Sequence, residues 1–172
     1  FAGNPSQAIK YYGEIVQRYP QSSNAAKAEG AKRRLELKGR PLALVATTLS
    51  GMTLDTRSLE GRVVVVHYWA SWSEPSVRDM AILRDLQIKY GSRLALVGVN
   101  VDADPALATN VVQKNRYSWP HLYSKGGMES QLANQLGVVS VPMMIVVDAM
   151  GKVVKTGVHS AELGSVVAEL VK

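Results

Sequence analysis

The sequence predicts an α/β fold built on a mixed central sheet and preceded by an α-helical hairpin. Three observations carry that prediction. From Pro41 onward, short apolar runs alternate with amphipathic segments, the pattern of consecutive βαβ units. Two of the runs, residues 63–69 and 94–101, are apolar at successive positions, so both faces of each strand are expected to be covered. Finally, Asp148–Ala149–Met150–Gly151 separates two strand-like stretches, residues 143–147 and 152–156, and reads as a hairpin turn that adds antiparallel strands to a parallel core.

The elements follow in order. Asn4 is a good N-cap and Pro5 suits a first helical position, where its missing N–H costs nothing. Ala8, Ile9, Tyr12, Ile15, Val16 and Tyr19 recur at helical spacing until Pro20 stops the helix. Ser23 or Asn24 is expected to cap a second helix carrying Ala25, Ala28, Ala31 and Leu35, which ends near Gly39. These helices form residues 1–40, and the α/β domain takes 41–172. Within the latter, strands are expected over 42–48, 52–54, 63–69, 94–101, 143–147 and 152–156. Helices are expected over 75–90, 105–115, 128–136 and 161–171.

Composition narrows the function classes. The chain has 172 residues, of which 47% are hydrophobic and 20% charged, a globular balance. No apolar run approaches the roughly 18 residues of a membrane-spanning helix. The net charge of +6 comes from scattered basic residues apart from Lys32–Arg33–Arg34, which reads as a solvated helix face and not as a nucleic-acid site. There is no cysteine, which removes disulfides, thiolate metal sites and every thiol mechanism. The chain starts at Phe1, read as a processing or cloning boundary.

The most informative stretch is Val66–His67–Tyr68–Trp69–Ala70–Ser71–Trp72–Ser73–Glu74–Pro75–Ser76. It resembles the active-site turn of the thioredoxin superfamily, in which an apolar strand and a Trp-Ala-x-Trp run lead into Cys-x-Pro-Cys at the start of a helix. Val141–Pro142 sits where that family carries its cis-proline. Residues 148–152 resemble the hairpin that follows. The 39–41 and 58–63 segments and the Glu74–Pro75 pair look most like the TlpA/ResA branch of thiol–disulfide oxidoreductases. The resemblance covers about residues 39–172 and implies a thioredoxin-like three-layer α/β/α fold. It also implies a bacterial, extracytoplasmic protein that is monomeric, needs no cofactor and works on polypeptide partners. Separately, residues 8–28 resemble one tetratricopeptide repeat. Such repeats normally stack in about threes, so further chain is expected upstream.

The departure from the family lies at its centre, where both cysteine positions hold serine, Ser73 and Ser76. A helix N-terminus lowers a thiol's pKa to about 7 or below, and the thiolate attacks a disulfide sulfur. An alcohol has neither the acidity nor the sulfur–sulfur chemistry, so dithiol–disulfide exchange is excluded for this chain. Two origins fit: natural loss, leaving a polypeptide-binding domain, or deliberate replacement of both thiols in an active oxidoreductase by their closest oxygen isostere. Ser76 is expected to be shielded and Ser73 more exposed, with the Ser73 hydroxyl accepting a first-turn N–H.

The supporting residues implied by the resemblance are Trp72, Glu74, Pro75 and His67, with Trp72, Val141 and Pro142 as the peptide-binding edge. The resemblance places His67 beneath Ser76, in the position of a buried acid. A His–Ser contact there reads as a satisfied core pair and not as half of a hydrolase triad, since no G-x-S-x-G elbow is present. His121 and His159 are too far apart in sequence to suggest a metal set. Asp102 and Asp104 read as strand-end and helix-cap residues, and Trp69 as core. A peroxiredoxin-like chemistry finds no Pro-x-x-x-Thr-x-x-Cys context around Ser73.

Overall fold

The computed structural model describes residues 4–171, so Phe1 lies outside the described residues. Two helices open the chain, α1 (Pro5–Arg18) and α2 (Ser23–Glu36). Asn4 caps α1 by accepting from the Gln7 N–H at 3.2 Å. The cap of α2 is Ser22, one residue before Ser23 and two before Asn24, because its Oγ reaches the Ala25 N–H at 3.2 Å.

A small antiparallel pair follows, β1 (Val45–Thr47) with β2 (Thr53–Asp55). The expected 42–48 strand is shorter because residues 42–44 are held by a side chain instead of a ladder. Thr56 Oγ1 accepts from the Leu44 N–H at 3.0 Å and donates to the Leu42 carbonyl at 2.9 Å.

The main sheet has the order β5-β4-β3-β6-β7. Its strands are β3 (Val63–Trp69), β4 (Leu94–Asn100), β5 (His121–Tyr123), β6 (Met143–Val147) and β7 (Val153–Val158). β3 pairs parallel with β4 and antiparallel with β6, and β4 pairs parallel with β5. The sheet is therefore mixed, as the alternation of elements and the closing hairpin predict. β3 and β4 are buried along their whole lengths, in keeping with apolar residues on both faces of each.

Helices α3 (Glu74–Tyr90), α4 (Pro105–Asn115) and α6 (Ser160–Leu170) cover one face. There Val65 and Trp69 pack with Met80, Leu83 and Leu163. The other face buries Val64, Val66 and Tyr68 against Leu132 and Leu136 around α5 (Gln131–Gln135). The expected 128–136 helix is split, because Ser130 is extended and caps α5 through the Ala133 N–H.

The helical pair docks on α5. A Cβ at Gly30 would collide with the Asn134 carbonyl and the Gly137 backbone. Lys27 Nζ donates to the Met128 carbonyl at 2.7 Å, and Arg34 donates to the carbonyls of Leu136 and Gly137, each at 3.0 Å. Arg33 reaches the Gln135 carbonyl at 3.2 Å. The basic cluster is thus not merely a solvated face: two of its three side chains bind orphan carbonyls at a helix C-terminus, where cations are favoured.

Candidate functional site

β3 ends at Trp69, and the chain turns through residues 70–73 into α3. Asp102, fully buried just beyond β4, holds this turn. Its carboxylate accepts from the Ser71 N–H at 3.0 Å, from the Ser71 hydroxyl at 2.9 Å and from Asn100 Nδ2 at 2.7 Å. The sequence reading as a plain strand-end residue missed that role. The available signal was an acid placed directly after a buried strand that runs beside β3. Asp104, by contrast, caps α4 as expected, accepting from the Ala106 N–H at 2.9 Å.

Ser73 is the N-cap of α3 and Pro75 lies in its first turn. The Ser73 Oγ accepts from the Ser76 N–H at 3.4 Å and from the Ser76 hydroxyl at 2.8 Å, and it donates to the Val141 carbonyl at 3.3 Å. Ser76 is fully buried. Ser73, at 6%, is the more exposed of the two, as expected, yet it too is buried. The reason is the Val141 carbonyl, which comes from the far side of the site. The Val141–Pro142 peptide bond is cis.

His67 lies on the α3-covered face of the sheet, next to Trp69 by strand alternation, and is buried. It makes no hydrogen bond to Ser76, contrary to the His–Ser contact considered from sequence: both ring nitrogens are unpartnered. Burial, with a smaller contribution from His121, pushes its pKa down to about 3, so the ring is neutral. Glu74 turns outward and pairs with Arg78 at 3.0 Å, both side chains being exposed. Trp72 is 62% exposed beside the turn, and Val139 is 68% exposed on the segment leading to Val141. A cleft of about 380 Å³ runs past Pro142 between Pro75, Ile82 and Ser160. Asp79 lines it, its carboxyl pKa raised by burial and lowered in part by a Ser160 hydrogen bond.

The structure thus brings together Ser73, Ser76, Pro75, Val141 and Pro142, with Trp72 at the rim. It leaves Glu74 in solvent and His67 buried without a bond to either serine. A nucleophilic serine needs its proton to face a base. Here the Ser76 proton goes to Ser73 and the Ser73 proton goes to a carbonyl, which cannot take it up.

Comparison with known proteins bears on the fold. The family model for thioredoxin-like proteins matches residues 61–153, more than half of the chain. The chain belongs to the thioredoxin-like family. Among curated relatives it is similar to the thiol–disulfide oxidoreductase ResA of Bacillus thuringiensis, with 22% identity over 125 residues that cover 72% of this chain and 70% of ResA. Among solved structures it resembles the thioredoxin domain of a thiol–disulfide oxidoreductase from Bacteroides vulgatus. That match has a TM-score of 0.70 at 18% identity and covers 78% of this chain and 98% of the other. A thiol–disulfide oxidoreductase from Bacteroides fragilis superimposes with a TM-score of 0.67 at 22% identity, over 76% and 98% of the two chains. This thioredoxin-like chain carries no cysteine at all, and no helix among its described residues is long and apolar enough to cross a membrane.

Proposed function

We propose that this chain is a redox-silent thioredoxin-like domain that binds an extended polypeptide segment along the edge formed by Trp72, Val141 and Pro142. The observation that carries this reading is an exposed indole, Trp72, directly before a serine pair whose protons are all committed, with the exposed Val139 two residues before Val141. An extended segment would pair with the backbone at Val141 and lay a side chain against the indole, a short form of strand addition. The test has two arms. The purified chain is expected to leave insulin disulfides intact. It is expected to bind a carboxymethylated, permanently unfolded polypeptide, and Trp72→Ala should weaken that binding about tenfold, on the order of 1.4 kcal/mol. Equal binding by the variant would remove the proposed edge.

A second reading rests on the 2.8 Å approach of the two Oγ atoms. Side chains that converge in this way suit a disulfide-forming pair, so the chain is also readable as an extracytoplasmic oxidoreductase whose thiols were replaced. The double variant Ser73→Cys with Ser76→Cys separates the two readings. Turnover of insulin at the level of cysteine-bearing relatives supports replacement, and a trace or none supports a domain turned to binding.

A further inference from the structure

The cleft beside Pro142 holds an acid without a cationic partner. Asp79, in the second turn of α3, lines the cleft and keeps only 7% of its surface exposed. Burial raises its carboxyl pKa, and a hydrogen bond from the Ser160 side chain, with weaker contributions from Arg78 and His159, offsets this only in part. All three of those residues also line the cleft, so the carboxylate end of Asp79 lies toward it. Arg78 is committed elsewhere, to Glu74 at 3.0 Å. Among the described residues no cation forms an ion pair with Asp79. Acids buried to this degree are seldom left unpaired.

The rest of the cleft is largely apolar, with Pro75, Ile82, Pro142 and Val158 around the acid. An acid among aliphatic walls fits a group with a long apolar stem and a cationic head, the form of a lysine or arginine side chain. A small free cation would leave the walls unused, and a neutral or acidic head would leave the carboxylate unpaired. The volume of about 380 Å³ accommodates one such side chain. Pro142 directly follows Val141, so a segment paired with the Val141 backbone runs next to the cleft.

We propose that the polypeptide-binding edge selects segments with a basic residue, whose side chain enters this cleft and pairs with Asp79. The inference rests on the reading of the edge as a polypeptide site and adds the chemical class of the segment. The chain's net charge of +6 gives a basic segment no long-range attraction. The selection is therefore a contact effect inside the cleft, carried by the stem against the walls and the head against the carboxylate.

The test uses the whole chain and three short, acetylated and amidated peptides of serine and threonine that differ only in a central lysine, norleucine or glutamate. Norleucine keeps the stem of lysine and lacks the charge. By calorimetric titration the lysine peptide should bind about tenfold tighter than the norleucine peptide, and the glutamate peptide weakest. Asp79→Asn should bring the lysine-to-norleucine ratio to about one. Ile82→Trp alters only the exposed rim of the cleft, where Ile82 is 40% exposed, and should also collapse the ratio by narrowing the entrance. It decides the matter if Asp79→Asn fails to fold by circular dichroism. Equal binding of the lysine and norleucine peptides that is still weakened by Trp72→Ala would overturn this proposal and leave the edge standing. A lysine preference that survives in either folded variant would overturn it as well. Binding of none of the peptides would remove the edge and the proposal together.

Discussion

Ser73–Ser76 and His67–His121 are two polar pairs built around the same strand, and they are bonded in opposite ways. In the serine pair one hydroxyl feeds the other, which also accepts a backbone N–H and ends on the Val141 carbonyl. In the histidine pair three of the four ring nitrogens have no partner, and only His121 Nδ1 is engaged, by Trp69. The position where the family motif directs attention is thus a closed circuit. The unspent hydrogen-bonding capacity lies within the sheet, on His67 of β3 and His121 of β5.

The contrast can be broken or sharpened by experiment, and acid should have the largest effect. Both histidines hold pKa values of about 3 in the folded chain, against about 6.5 when unfolded. Above that value neither state binds the protons, and these groups give no pH dependence. Between pH 6.5 and 3 the unfolded chain takes up protons that the native one refuses. Stability should therefore fall as pH falls, by up to about 1.4 kcal/mol per pH unit for each ring. Urea midpoints at pH 7.5, 6.0 and 5.0 measure this, and a Ser73→Ala, Ser76→Ala double variant should show the same slope. Midpoints that do not change with pH would mean the rings are not buried neutral.

Next in size is Asp102→Ala, which strands the Ser71 N–H, the Ser71 hydroxyl and the Asn100 amide. Hydrogen bonds to charged groups contribute roughly 1.5–3 kcal/mol each, so a loss of about 3 kcal/mol is expected, together with a changed Trp72 emission. A normal denaturation curve would show that the turn holds itself. Gly98→Ala should cost about 2 kcal/mol through overpacking against His121, and calorimetry would register it as a lowered Tm. The smallest effect belongs to the serines. Ser73→Ala removes a helix cap and should cost about 1 kcal/mol. Ser76→Ala should cost less, because the Ser73 Oγ keeps its backbone donor. If Ser76→Ala proved the costlier of the two, the direction of the hydroxyl circuit would be reversed.

Much of the frame was legible because it rests on local rules. The limits of β3 follow from a continuous apolar run, those of α4 from an Asp-Pro start, and the Asp148 turn from its own side chain, which accepts from the Met150 and Lys152 N–H groups at 2.9 Å each. What stayed hidden depends on distant partners. β5 is only three residues long and is defined by its ladder to β4, so no periodicity announces it. Ser73 is covered by a carbonyl 68 positions away, and Asp102 reaches back 31 positions to Ser71. Arg34 looked like surface because its carbonyl partners lie about 100 residues further on. The family resemblance singled out His67, but its row through Gly98 to His121 exists only once the three strands are paired.

The seam between α2 and the turn after α5 works like a key in a lock. Gly30 faces Gly137 with no side chain between them: a Cβ on Gly30 would strike the Gly137 backbone, and a Cβ on Gly137 would strike the α2 backbone at Lys27 and Ala31. Sliding α2 by one turn, about 5.4 Å, would bring Ala26 or Arg34 into a gap that accepts only hydrogen. The helical pair therefore has one seat and cannot creep along the domain. Leaving that seat would also release Lys27, Arg33 and Arg34 from their carbonyls together. Whatever grips the outer faces of α1 and α2 holds a rigid handle, and through it fixes the direction in which the Trp72 rim is presented.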